Sequence, residues 1–219
     1  VGYILRDCNV RTLVTTQDRA HLLADTLAEC HDLHTLVVLD TEDTVSLTHD
    51  HLRSLSWNEF TSAHKNTTVR SIDTDIAAIL YTSGSTGSPK GVVLSHRNMV
   101  AGAHSVSTYL KNVPEDRLLA VLPFSFDYGL SQLTTAFTVG ASCFLMDYLL
   151  PRDVVRAVAR HRITGLAAVP PLWVQLAQLE WPNEAVESLR YITNSGGAMP
   201  TATLQALRQS LPNTDPYLM

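Results

Sequence analysis

The chain has 219 residues, and 45% of them are hydrophobic, which is enough to bury a substantial core. Its net charge is −5 and it contains no basic cluster, so we expect neither nucleic acid nor an anionic membrane surface as a partner. Its three cysteines lack metal-type spacing, which favours a reducing, cytoplasmic location over a disulfide scaffold.

The amino-terminal part predicts a strand, a helix and a second strand. The strands are expected at residues 10–15 and 35–39, and helical spacing of apolar residues marks residues 17–30 between them. This order is typical of parallel α/β layers. Residues 40–75 are rich in Ser, Thr, Asp and His, and we interpret them as a polar surface excursion with one short helix at residues 57–60.

The rest of the chain alternates predicted helices and strands. Ser95 or Asn98 is expected to cap a helix, a further helix begins at Pro151, and a last one ends near Leu211. The predicted strands lie at residues 118–122, 142–146, 165–169 and 190–193. The longest apolar region, residues 163–179, is interrupted by prolines and glutamines, so we expect no membrane span. The predicted fold class is α/β, with mostly parallel sheet layers flanked by helices.

Residues 79–98 are the most distinctive stretch, because a Gly/Ser/Thr loop and Lys90 lie between two apolar runs. Glycines with positive φ let consecutive backbone N–H groups face one concavity. The hydroxyl groups add hydrogen-bond donors and Lys90 adds a positive charge, so the stretch is suited to binding phosphate. It is not a Walker A loop, since Lys90 follows Pro89, precedes Gly91 and leads into a strand. We expect a strand, a loop and a strand. A solvated linker is the alternative, but linkers rarely place Pro-Lys-Gly between two buried-type strands.

The sequence Tyr-Thr-Ser-Gly-Ser-Thr-Gly-Ser-Pro-Lys-Gly at residues 81–91 resembles the signature loop of the adenylate-forming superfamily. This superfamily includes acyl-CoA synthetases, luciferases and the adenylation domains of peptide synthetases. The resemblance continues through the chain in order, on weaker motifs. It implies the fold of the superfamily's large amino-terminal domain, and a parent enzyme that converts a carboxylate and ATP to acyl-AMP and pyrophosphate.

In the superfamily, the signature loop holds the β- and γ-phosphates of ATP while the carboxylate attacks the α-phosphate. The resemblance therefore implies phosphate binding by Thr82, Ser83, Gly84, Ser85, Thr86, Gly87 and Lys90. Lys90 is expected to be catalytic, because negative charge grows on the leaving pyrophosphate and a fixed ammonium group stabilises it.

Phe126-Asp127-Tyr128-Gly129 lies where acyl-CoA synthetases carry a His-x-x-Gly-like site and peptide-synthetase adenylation domains carry Phe-Asp-x-Ser. Gly129 suits the acyl type, whereas Asp127 could pair with the ammonium group of an amino acid. Alternatively, Asp127 caps a helix or bonds its own turn. We expect the substrate pocket to contain Phe126, Asp127, Tyr128, Gly129 and Pro170, although Pro170 also suits a simple strand-to-helix corner.

Ser195, Gly196, Gly197 and Ala198 follow a predicted strand and resemble the superfamily's loop beside the adenine and the acyl pocket. Glycines there permit close approach to a flat ligand, although an ordinary turn would also contain them. Loops that follow parallel strands are where open α/β sheets bind ligands.

The resemblance implies a carboxylic acid, ATP and coenzyme A as small-molecule partners, with a carrier-protein phosphopantetheine as the alternative thiol. It also implies Mg²⁺, whose glutamate ligand we expect beyond Met219, so no metal ligand is expected in residues 1–219. We interpret residues 1–219 as part of the large domain, truncated at both ends, lacking the carboxyl-terminal domain and inactive alone. A non-catalytic nucleotide-binding or interaction module is the alternative of another class.

Overall fold

The computed structural model describes residues 1–41, 51–62, 69–82, 87 and 89–218. The chain divides into two compact units. The first unit contains Val1–Arg70 and Ser83–Pro89, and the second contains Ser71–Thr82 and Lys90–Met219. Within the described ranges, no helix has the length and apolarity that crossing a membrane would require.

The first unit contains a sheet in which neighbouring strands are parallel. Its strands, in spatial order, are β1 (Thr12–Thr15), β2 (Thr35–Val38) and β3 (Arg53–Ser56). The described helices of this unit are α1 (Gly2–Asp7), α2 (Gln17–Leu22), α3 (Ala24–Ala28) and α4 (Trp57–Ser62). Fully buried leucines, Leu27, Leu33 and Leu36, pack in its core.

Three elements of the first unit differ from the sequence predictions. The predicted helix at residues 17–30 is interrupted at Leu23, which has φ −96° and ψ 1°. Helix α1 was not predicted, and strand β3 lies inside the predicted surface excursion. β3 was not predicted because its last residue, Ser56, is polar yet only 1% exposed. The Ser56 hydroxyl and N–H both donate hydrogen bonds to the Glu59 carboxylate, at 3.0 and 2.8 Å. This capping box also begins α4, where a short helix was predicted.

The second unit begins with an antiparallel hairpin of β4 (Ile76–Thr82) and β5 (Lys90–Ser95). The two predicted strands are confirmed, but their expected burial is wrong: Val92 and Val93 are about half exposed. A two-stranded ribbon that pairs with no other described strand leaves apolar side chains uncovered.

Helix α5 (His96–Tyr109) follows the hairpin, and its cap uses both predicted residues. The Asn98 N–H donates to the Ser95 hydroxyl at 3.2 Å, and the Ser95 N–H donates to the Asn98 Oδ1 at 3.0 Å.

A parallel sheet with the order β10-β9-β8-β6-β7 forms the centre of the second unit. Its strands are β6 (Arg117–Ala120), β7 (Ser142–Leu145), β8 (Gly165–Ala168), β9 (Tyr191–Asn194) and β10 (Asp215–Leu218). The helices that follow α5 are α6 (Asp127–Val139), α7 (Pro151–His161), α8 (Pro170–Leu176), α9 (Asn183–Ser188) and α10 (Thr201–Ser210). The predicted α/β class with mostly parallel strands is therefore confirmed.

Both faces of this sheet are covered by helices. Leu119 and Ile192 pack with Trp173 of α8 on one face, whereas their neighbours Leu118 and Tyr191 belong to a separate buried cluster with α5 and α6. Burial on both faces explains why β6, β8 and β9 lack polar alternation. Helix α9 and strand β10 were not predicted from the sequence. β10 contains Pro216, which argues against a central strand but is tolerated in β10 at the edge of the sheet.

Candidate active site

The hairpin brings Thr82 and Lys90 together. They are cross-strand partners at the end of the β4–β5 ladder, where the signature loop leaves one strand and enters the other. The Lys90 side chain is exposed. Gly87 has φ +90°, a backbone conformation that favours glycine, and no atom of the described residues would crowd a Cβ there. The predicted phosphate-binding residues Ser83, Gly84, Ser85 and Thr86 lie outside the described residues.

A cleft of about 360 Å³ opens beside the carboxyl end of β9, between α5 and α6. Its lining residues are Val106, Tyr109, Leu110, Phe126, Asp127, Tyr128, Ser131, Gln132, Thr193, Ser195 and Gly196. This volume lies within the usual range for small-molecule sites. The carboxyl end of a parallel sheet is also where such folds bind ligands.

Asp127 contributes an exposed carboxylate to this cleft. It is the first residue of α6, and its Oδ1 accepts the Tyr128 N–H at 2.7 Å, so part of its hydrogen-bonding capacity serves its own turn. Within the described ranges, no Lys, Arg or His forms an ion pair with it. The carboxylate therefore combines a local structural bond with access to a cationic ligand group.

Tyr128 closes one side of the cleft. Its hydroxyl forms a hydrogen bond with the Thr193 hydroxyl, and its backbone carbonyl accepts from Gln132 Nε2 at 3.2 Å. Burial raises the pKa of the Tyr128 phenol above its ordinary value, and the bond from Thr193 offsets this only partly. The phenol therefore stays neutral at physiological pH and joins α6 to β9.

The predicted pocket residues separate into two groups. Phe126, Asp127, Tyr128, Ser195 and Gly196 line the cleft, whereas Gly129, Pro170, Gly197 and Ala198 do not.

Gly129 is needed for close packing. A Cβ atom there would lie 2.2 Å from the Pro123 carbonyl oxygen and 2.9 Å from that of Leu122, so α6 could not approach the chain that leaves β6. Pro170 is the first residue of α8. A Cβ atom added to Gly197 would lie 3.4 Å from the Pro170 Cγ, so Pro170 packs near the loop that follows β9 but does not line the cleft.

Six cleft residues were not predicted: Val106, Tyr109, Leu110, Ser131, Gln132 and Thr193. Two simple periodicities could have indicated some of them. Ser131 lies four residues after Asp127 on the same helix, which places both on one helical face. Thr193 lies two residues before Ser195, and strand alternation directs both to one side of the sheet.

The opposite end of the sheet contains a different aspartate, Asp116, which lies just before β6 and is 2% exposed. Its carboxylate accepts from Arg190 Nη2 at 2.6 Å, Asn112 Nδ2 at 2.9 Å, Thr164 Oγ1 at 2.7 Å and the Val113 N–H at 3.0 Å. Burial would raise the pKa of Asp116, but these hydrogen bonds outweigh it and hold the pKa below its usual value. Asp116 is therefore a structural anion that lies before β6 and does not line the cleft.

No group of three or more His, Cys, Asp and Glu side chains in the described part of the chain is arranged to hold a metal ion. We derive no chemical step through Mg²⁺.

The sequence model described as AMP-binding enzyme matches residues 1–218. The chain belongs to this family. The AMP-binding enzyme family includes adenylate-forming ligases, so the predicted superfamily is confirmed.

The relatives of this AMP-binding enzyme chain use different thiols. Over 149 residues, it is 38% identical to the L-proline–[L-prolyl-carrier protein] ligase of Streptomyces coelicolor. The aligned region covers 65% of this chain and 27% of the relative. It is 35% identical over 133 residues to the 2-succinylbenzoate–CoA ligase of Bacillus subtilis, covering 61% of this chain and 27% of the relative. The chain therefore spans much less than two thirds of either protein.

A solved structure supports the fold assignment. The anthranilate CoA ligase AuaEII in complex with anthranoyl-AMP matches 98% of this chain and 41% of its own length, with a TM-score of 0.80 and 25% identity. The family thus includes CoA ligases and carrier-protein ligases, and membership alone does not distinguish between them.

Proposed function

We propose that the parent protein is an AMP-forming acid–thiol ligase that converts a carboxylate and ATP to acyl-AMP and pyrophosphate, and then transfers the acyl group to coenzyme A. The observation that carries this proposal is the position of Lys90, which lies at the loop end of the β4–β5 hairpin, opposite Thr82, in a chain that matches the AMP-binding enzyme family along residues 1–218.

In the first proposed step, a carboxylate oxygen of the substrate forms a bond to the α-phosphorus of ATP. The bond from that phosphorus to the bridging oxygen breaks, and the electron pair leaves with pyrophosphate. Negative charge therefore grows on the leaving group, where an ammonium group and fixed N–H donors stabilise the transition state more than the ground state. We assign this role to Lys90, whose cross-strand partner is Thr82. Mg²⁺ is part of the proposal only through the resemblance to the superfamily, and no described residue is assigned to bind it.

In the second proposed step, the thiol sulfur attacks the acyl carbonyl carbon, its proton passes to solvent or a base, and AMP leaves as the acyl–oxygen bond breaks. The described residues include no identified base for this step, so coenzyme A is proposed from the family and not from a binding site. We place the acid in the cleft between α5 and α6, where Phe126, Tyr128 and Val106 supply apolar surface and Ser131 supplies a hydroxyl.

A second candidate function is the activation of an amino acid that is then loaded onto a carrier-protein phosphopantetheine. The observation that favours it is the Asp127 carboxylate, which lines the cleft without a cationic partner among the described residues. A substrate ammonium group would supply that partner. The same feature would disfavour an acid with a purely apolar tail, because the carboxylate would then lose solvent without gaining a partner.

The test is hydroxamate formation from ATP by the protein expressed from its complete gene, with fatty, aryl and amino acids offered separately. Each active acid is then assayed with coenzyme A for thioester formation. Activity with uncharged-tail acids and a coenzyme A thioester supports the first function. Activity with amino acids alone, lost in Asp127→Asn, supports the second. No product with any acid would contradict both and leave a non-catalytic module.

A further inference from the structure

The loop that follows β9 combines two glycines with unusual backbone angles. Gly196 has φ +80° and Gly197 has φ +157°, both outside the range that other residues readily adopt. Ser195 and Gly196 line the cleft, so the path of residues 195–200, here named the glycine loop, shapes one of its walls. Glycine-rich backbone has many accessible conformations, so a fixed path requires an anchor.

Asn194 supplies such an anchor. It is the last residue of β9, it is 1% exposed, and its Nδ2 donates to the Gly197 carbonyl oxygen at 2.8 Å. β9 is paired on both sides, by β8 and β10, so the hydrogen bond ties the glycine loop to one of the most constrained backbones in the unit. The end of β9 is itself held by Trp173, whose Nε1 donates to the Thr193 carbonyl oxygen at 3.2 Å.

Asn194 acts from behind the cleft wall. Alternate residues of a strand point to opposite faces, and Thr193 lines the cleft whereas Ile192 packs in the core on the other face. Asn194 shares the face of Ile192 and does not line the cleft. Any effect it has on a ligand must therefore pass through the glycine loop.

The other end of the same amide is informative. Asn194 Oδ1 is buried and has no hydrogen-bond partner among the described residues. Leaving a buried acceptor unpaired is unfavourable, so an apolar residue of similar shape would suit a purely space-filling position better. The donated bond to Gly197 is the feature that distinguishes asparagine from such a residue.

We infer that Asn194 is a positioning residue, whose side-chain amide fixes the glycine loop in the conformation that binds the substrates. This inference rests on the proposed function, because it assumes that the cleft and its loop bind the acid or the adenylate. It concerns a residue that touches neither and that acts through the Gly197 carbonyl.

The test compares Asn194→Ala and Asn194→Asp with Asn112→Ala in the full-length protein. Asn112 is a matched control, because it also donates through Nδ2 and also has a buried, unpartnered Oδ1, but it lies at the Asp116 end of the sheet. Acid-dependent exchange of pyrophosphate into ATP gives KM and kcat, thermal unfolding gives Tm, and hydrogen exchange reports on the backbone amides of residues 195–199.

Both Asn194 variants are expected to raise the KM for acid and ATP about tenfold with kcat within about threefold, since a displaced loop weakens binding of ground state and transition state alike. Their glycine-loop amides should exchange faster than in the wild type. Asn112→Ala should lower Tm without changing KM or loop exchange. A KM no higher in the Asn194 variants than in Asn112→Ala would overturn the inference.

The hydrogen-exchange measurement separates this inference from the proposed function. If the wild type catalyses no exchange with any acid, the proposed function fails. Faster amide exchange in the glycine loop of the Asn194 variants would still support the anchoring role. Unchanged exchange there would reject that role, whatever the enzyme does.

Discussion

Asp116 and Asp127 flank the same strand, β6, but their carboxylates have opposite surroundings. Asp116 lies before the strand, is buried, and is bonded by side chains from three separate segments of the unit. Asp127 lies after the strand, is exposed in the cleft, and accepts one backbone N–H from its own neighbour. Several side-chain partners make the first carboxylate part of the fold, whereas the second has no ion-pair partner among the described residues and is available to a ligand.

The largest expected effect on stability comes from removing the buried carboxylate. Asp116→Ala leaves the partly buried Arg190 guanidinium without its bidentate partner and also removes the acceptor of Asn112 and Thr164. We expect the free energy of unfolding to fall by about 3 kcal/mol, measured by urea denaturation. Asp127→Ala is the matched change at the other end of β6, and we expect it to alter stability by less than about 1 kcal/mol. Equal losses of unfolding free energy in the two variants would contradict the proposed difference between Asp116 and Asp127.

Gly129→Ala tests whether the predicted pocket glycine serves packing. The added methyl group would lie 2.2 Å from the Pro123 carbonyl oxygen, so α6 must shift, and we expect a loss of about 1–3 kcal/mol of unfolding free energy. Gly102→Ala is the control, because Gly102 lies inside α5 with open space around its Cα and should tolerate or gain from alanine. Calorimetric Tm values that fall equally for both variants would argue against the packing role.

Tyr128→Phe removes the hydroxyl that joins α6 to β9 beside the cleft. We expect a loss of about 1 kcal/mol of unfolding free energy, because a neutral intramolecular hydrogen bond contributes about that much. A double-mutant cycle with Thr193→Val isolates the pair, and we expect a coupling free energy of similar size. A coupling near zero would show that the two hydroxyls act independently.

The smallest effect is the acid dependence of the Asp116 network. The pKa of Asp116 is lowered in the folded protein, so its stabilising contribution is present above the unfolded pKa, about 4, and is lost as the pH falls through the folded value. In urea titrations from pH 6 to pH 2, the stability difference between the wild type and Asp116→Asn should therefore narrow in acid. A difference that is independent of pH would contradict the assigned cause.

Much of the fold could be predicted from the sequence, because apolar periodicity and cap signals are local. The hairpin around Lys90, the Ser95 cap with Asn98, and the start of α7 at Pro151 all follow from neighbouring residues. β3 and β10 could not be recognised in this way. Ser56 is buried only because Glu59 bonds it, and Pro216 is tolerated only because β10 is an edge strand.

The candidate site was less predictable, because its residues come together from α5, α6 and the end of β9. Motif resemblance indicated Asp127 and Gly196, but it did not separate them from Gly129, whose close approach to Pro123 exists only in three dimensions. Nor could an isolated Asp in the sequence reveal whether it would be bonded, as Asp116 is, or open, as Asp127 is.

The most direct test of the proposed adenylation is acid-dependent pyrophosphate exchange by Lys90→Ala and Lys111→Ala variants of the full-length protein. Lys111 is another exposed lysine of the second unit and is not part of the hairpin. We expect Lys90→Ala to lower kcat by about 10²–10³-fold with a much smaller change in the KM for ATP, as expected for a group that stabilises developing charge. Lys111→Ala should retain wild-type rates. Equal rates in the two variants would contradict the role of Lys90 and, with it, the proposed phosphate site.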